Sequence, residues 1–227
     1  MIINLTKNNN GKTQMFNFKN VWMFYIIFYL VGFLGILFSQ SRPFFIRLIP
    51  FAIILSLLAI LLFHESKINS KLILTLILIY LLGYFIEVIG VNTGVIFGNY
   101  QYSSGLGIKI WNTPLFIGLN WVMLIYASAA ILNNYQIHLF LKIIFSSLFL
   151  VVYDLILEQI APDMEMWYWK DNRIPLQNYV AWFLIALAFQ CVFVLFGNSA
   201  KNKMAPIIFS IQTLFFFSLA IYFNFIK

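Results

Sequence analysis

Seven runs of about twenty almost uninterrupted apolar residues dominate this chain, and a run of that length is what an α-helix needs to cross a hydrocarbon layer roughly 30 Å thick. They lie at Val21 to Phe38, Phe44 to Phe63, Leu72 to Gly90, Pro114 to Leu132, Ile137 to Leu157, Tyr179 to Gly197 and Ile207 to Phe225. Spanning barrel strands are shorter and alternate apolar with polar residues, so continuous runs leave helices as the spanning solution. Hydrophobic residues make up 63% of the chain and charged ones 9%, more apolar surface than a water-soluble core absorbs. The expectation is an all-α, polytopic membrane helix bundle with about seven transmembrane helices. It forms one domain over residues 21–227, after a polar N-terminal segment over residues 1–20.

The net charge of +7 comes from lysines and arginines set in short loops beside the spans, where lipid headgroups, not nucleic acid, are the expected partners. Lys7, Lys12, Lys19, Lys67, Lys71, Lys142, Lys201 and Lys203 fall on the N-terminal side, against Arg42, Arg47, Lys109, Lys170, Arg173 and Lys227 opposite, which favours a cytoplasmic N-terminus. The first apolar run is too long for a signal peptide and lacks a small-residue cleavage site, so it reads as a retained span. Cys191, the single cysteine, sits mid-span and excludes an intrachain disulfide.

The acids are distributed very unevenly. Glu65 lies on the N-terminal side, whereas Glu87, Asp154, Glu158, Asp163, Glu165 and Asp171 gather at the other. The two longer loops, Val91 to Thr113 and Glu158 to Asn178, emerge on that same side and carry Tyr100, Tyr102, Trp111, Trp167, Tyr168 and Trp169. Interfacial belts account for single aromatics, but clustering beside carboxyls points to a site. Glu87 shares a helical stripe with Tyr80, Gly83, Gly90 and Gly94, so it should face a close-packed neighbouring helix. Asp154 and Glu158, four apart, should project from one face at the end of their helix. Lys170 and Arg173 are too few to neutralise six acids, and acids in such surroundings are candidates for proton handling. Asn112 or Thr113 before Pro114, and Asn178, read as helix caps, whereas Asn120 beside Trp121 inside a span has no such explanation.

What is missing narrows the chemistry. His64 and His138 lie on the side away from the acids, which disfavours zinc hydrolysis and histidine-ligated iron chemistry. Paired aspartate-rich motifs for a magnesium diphosphate are absent, the last span has no mid-helix lysine for a retinal Schiff base, and no strand precedes a glycine-rich nucleotide loop. No strands are predicted anywhere. No metal and no cofactor are therefore expected. Carboxyls, aromatic faces and apolar walls suit protonation of an isolated alkene and stabilisation of the resulting tertiary cation.

Three segments resemble the carotenoid biosynthesis membrane-protein family that includes the carotenoid 1,2-hydratases, bisanhydrobacterioruberin hydratase among them. They are Glu87-Val-Ile-Gly90 through Gly94 to Phe97-Gly98-Asn99-Tyr100-Gln101-Tyr102; Trp111-Asn112-Thr113-Pro114 with Trp121; and Asp154 to Glu158 leading into Trp167-Tyr168-Trp169 and Ile174-Pro175-Leu176-Gln177-Asn178 to Trp182. The chain departs from the family's Glu-Pro by displacing the proline to Pro162. The resemblance implies a multi-pass protein of a bacterial or archaeal cell membrane that adds water across the terminal 1,2 double bond of a lipid-soluble acyclic or monocyclic carotenoid, in company with other carotenoid enzymes. On this reading Glu87, Asp154 and Glu158 are catalytic. Tyr100, Tyr102, Trp111, Asn120, Trp121, Trp167, Trp169, Asn178 and Trp182 contact the substrate. A carotene cyclase needs the same protonation step and differs in excluding water, while Glu87, Asn99, Gln101, Asn112 and Asn178 offer polar groups for a water. A transporter or scaffold is the remaining alternative, without an internal repeat to support it.

Overall fold

A computed structural model describes residues 6–7, 13–14, 17–196 and 200–226. Most of the polar segment at residues 1–20 lies outside the described residues, as do Lys12, Gly197 and Lys227. The helices are α1 Phe18–Leu37, α2 Arg42–Arg47, α3 Ile49–Leu62, α4 Ser70–Thr93, α5 Phe116–Asn133, α6 Leu139–Glu158, α7 Leu176–Leu195 and α8 Met204–Ile221. Short strands accompany them: β1 Thr6–Lys7, β2 Thr13–Gln14, β3 Tyr100–Tyr102, β4 Lys109–Ile110, β5 Thr113–Pro114 and β6 Trp167–Trp169.

Six of these helices are long and apolar enough to cross a bilayer, and the chain is an integral membrane protein. The expected second span over Phe44 to Phe63 is instead two helices. Pro50 has no N–H to continue the ladder from Ile46, so α2 stops at Arg47 and α3 restarts after Leu48. At 14 residues α3 is about 21 Å long, short of a full crossing by itself. The α1–α2 corner is held by side chains: Arg42 Nε donates to the Ile36 carbonyl at 2.8 Å and Ser41 Oγ to the Gly35 carbonyl at 2.6 Å. Those carbonyls belong to the last turn of α1 and would otherwise be left without partners.

Helix α5 is the hub. Of its span 72% is buried, against 22–39% for the other five long helices, and it packs on α3, α4, α6, α7 and α8. Its partners show lipid-facing ridges such as Ile27 and Leu30 on α1, Leu74 and Ile77 on α4, and Leu184 on α7. The expected interior stripe on α4 is buried at Gly83, Glu87 and Gly90. A Cβ on Gly83 would lie 2.9 Å from the Trp121 ring, so the missing side chain is what lets α5 bring that indole against α4. Helix α4 runs three residues past Gly90 and ends on Gly94 in the left-handed region (φ 68°), leaving Glu87 two turns inside.

The strands, which hydropathy does not reveal, organise the two long loops. β3 pairs antiparallel with β6, matching Tyr100 to Trp169, Gln101 to Tyr168 and Tyr102 to Trp167. Because side chains alternate across a strand, the two tyrosines and two tryptophans are buried while Gln101 and Tyr168 face outward. β4 and β5 form a hairpin whose two-residue turn is Trp111-Asn112, both at positive φ (51° and 62°). Asn112 is therefore a turn residue, not a helix cap, and α5 begins later, at Phe116.

Candidate active site

The inner face of the β3–β6 ribbon lies over the ends of α4 and α6. Tyr100 and Tyr102 hydroxyls both donate to Glu87 Oε2 at 2.7 Å, and Trp121 Nε1 donates to Oε1 at 3.0 Å. Burial first, and the Glu87 charge second, push both phenols well above the usual tyrosine value of 10.0, so they remain donors. Glu158 Oε2 accepts from Trp167 Nε1 at 3.1 Å and Trp169 Nε1 at 2.6 Å. Asn178, on the first turn of α7, donates from Nδ2 to Asp154 Oδ2 at 2.8 Å and Glu158 Oε1 at 3.2 Å. Its amide bridges two carboxyls instead of capping α7, whose flanking residue is Pro175.

All three acids are at most 5% exposed, and none is in an ion pair among the described residues. Their hydrogen bonds differ in kind. Glu87 accepts from three donors, Glu158 from two indoles and a shared amide, and Asp154 from that amide alone among the described residues. Asp154 Oδ1 is sealed from solvent with no hydrogen-bond partner among the described residues. A sealed carboxyl oxygen without a donor is the place where an O–H, itself a donor, can reside.

A cavity of about 20 Å³ lies among Glu87, Tyr100, Tyr102, Glu158, Asn178 and Trp182, with Phe97, Ile117, Trp167 and Trp169 completing its wall. That is room for one water, with enough polar groups to hold it. Beside it is a second, apolar cavity of about 90 Å³, bounded by residues of α1, α2, α3, α5, α6 and α8. Ile117 and Trp167 line both. Trp182 stacks on Trp121 with centroids 4.4 Å apart, which fixes the indole that donates to Glu87.

Of the residues expected at the site, Glu87, Asp154, Glu158, Tyr100, Tyr102, Trp121, Trp167, Trp169, Asn178 and Trp182 come together. Asn120 lies in the apolar cavity, one helical turn from Ile117. Trp111 does not join them: it is 62% exposed and packs on Phe85. Asn99, Gln101 and Asn112, expected to help hold a water, are exposed. Tyr29 and Gln212, which line the apolar cavity, were not evident as site residues; each is an uncharged polar group inside a long, mostly apolar helix.

A family model described as "Carotenoid biosynthesis protein" matches residues 48–226. No curated protein and no solved structure matches the chain.

Proposed function

From the premise that this chain belongs to the carotenoid biosynthesis protein family, we propose that it hydrates the terminal 1,2 double bond of an acyclic carotenoid end. The observation that carries the reading is the pair of adjoining cavities. One is apolar and sized for a short branched hydrocarbon end, the other is lined by carboxyls and sized for a water, and Trp167 and Ile117 form their common wall. A pigment that dissolves only in the bilayer reaches such a site from within the bundle.

In this mechanism the Asp154–Glu158 pair is the acid: of the three acids Asp154 alone has an oxygen without a donor among the described residues, and Glu158, held beside it by the Asn178 amide, lines the carboxyl cavity. Protonation at C2 leaves a tertiary cation at C1, and the faces of Trp167 and neighbouring aromatics stabilise it. Water adds at C1 and gives up a proton to the carboxyl cluster, in which Glu87 is held by three donors. Addition of H2O is redox-neutral and needs no electron carrier. Ring closure would start from the same cation, and the water-sized cavity beside the carboxyls is what favours hydration over it.

The test is expression in a bacterial host that accumulates lycopene, with pigments followed by chromatography and mass spectrometry. A product heavier by one water is expected from the wild type and from no Asp154→Asn cells, with that variant still folded and inserted. An isomer of unchanged mass from the wild type would make the enzyme a cyclase, and full activity in Asp154→Asn would remove Asp154 as the acid.

A further inference from the structure

Asn120 is a polar residue that the carboxyl cluster does not use. It is 9% exposed, it lines the apolar cavity, and neither its amide oxygen nor its nitrogen has a partner among the described residues. Neither atom is sealed, in contrast to Asp154 Oδ1, so the amide opens onto the cavity itself. A carboxamide left unpaired among hydrocarbon walls is costly unless something in the cavity completes its hydrogen bonds.

Gln212 reaches the same cavity from α8. Its Nε2 donates to the Tyr29 hydroxyl at 2.6 Å and contacts Ser56 Oγ at 3.3 Å and Met123 Sδ at 3.6 Å. Its Oε1 accepts no hydrogen bond among the described residues. Met123 is one turn along α5 from Asn120, so two amides with free capacity border one apolar space. Glu87, by comparison, already accepts from three donors and lines the carboxyl cavity, not this one.

We propose that Asn120, supported by Gln212, is the positioning residue that seats the water as it passes from the adjoining carboxyl cavity to the substrate cation, so that it decides between hydration and loss of the cation by other routes. This rests on the hydration reading above. The step balances: the alkene π pair takes a proton from the carboxylic acid at C2, the oxygen of the seated water bonds to C1, and one water proton returns to the carboxylate. With no water seated, the cation loses a proton from a neighbouring carbon to the carboxylate, or is first captured by an internal double bond and the resulting ring cation then loses a proton to that carboxylate. Either route yields an isomer of unchanged mass.

The experiment compares wild type, Asn120→Leu, Asn120→Ala and Asn120→Ser in lycopene-accumulating cells, with the ratio of hydrated to isomeric product as readout. Detergent-solubilised gel filtration checks folding. Leu removes both polar atoms at similar size, Ala covers the case in which Leu does not fit, and Ser keeps a hydroxyl. The ratio is expected to fall at least ten-fold in the Leu and Ala proteins and to recover in the Ser protein. A wild-type ratio in folded Leu or Ala protein overturns the proposal, as does loss of both products together. A wild type that forms no hydrated pigment overturns the hydration reading, and the seat with it.

Discussion

The three central carboxyls are legible in the sequence because a charge inside an apolar run has few uses other than a site or an internal pair. Their donors are legible only as a cluster, since nothing in the text of the chain says which indole meets which acid. Asn178 reads as a cap because asparagine near a helix start usually is one, and its role as a bridge depends on α6 and α7 lying side by side. Trp111 reads as a site residue by proximity in sequence, but a turn with two positive φ angles turns it outward. The phenols of Tyr100 and Tyr102 yield a prediction at this scale. Their upward displacement means the neutral, donating form persists beyond pH 10, so turnover in proteoliposomes should show no alkaline loss at the ordinary tyrosine value. Tyr102→Phe removes one of the three donors to Glu87 and should lower the stability of the purified protein by about 1–3 kcal/mol, read from thermal unfolding. An unchanged unfolding midpoint would mean the hydrogen bond is replaced by another donor.

Helix positions follow from run length, and their breaks follow from chemistry that run length ignores. Pro50 divides the second span, and the three-residue strands Tyr-Gln-Tyr and Trp-Tyr-Trp are too short for alternation to stand out, though it is the alternation that aims four donors inward. The α4 stripe is the opposite case, since its glycine spacing announces a close helix contact and the contact is with Trp121. Two glycines should therefore respond differently to alanine. At Gly83 a methyl would meet the indole at 2.9 Å, displace the donor of Glu87 and cost about 1–3 kcal/mol. At Gly32 on α1 the nearest atom, on Phe215, is 3.7 Å away, so Gly32→Ala should be neutral or stabilise by roughly 0.5–1 kcal/mol through helix propensity. Thermal unfolding of the two variants side by side checks this, and equal destabilisation would refute the close-packing account of Gly83.

At the scale of the whole molecule, two apolar hollows compete as the approach for a long pigment. One is the cavity among α1, α2, α3, α5, α6 and α8. The other is an open groove of about 510 Å³ between the start of α7 and the loop after α4, bounded by Val95, Ile96, Leu176, Val180 and Leu184. The groove is the larger, yet it shares no lining residue with the carboxyl cavity, whereas the first cavity shares Ile117 and Trp167. On the proposed mechanism a reacting end must come within reach of the acids, so adjacency outweighs volume. Ala52 lies in the first cavity, and Ala52→Phe would fill much of a 90 Å³ space with a ring. Pigment conversion should drop ten-fold or more in that variant while the protein still elutes as a folded species. Leu184→Phe, in the α7 groove, should change conversion by less than two-fold. The reverse pattern would place the entry at α7 and leave the apolar cavity as packing space, because a substrate route cannot tolerate a plug and a lipid-filled groove can.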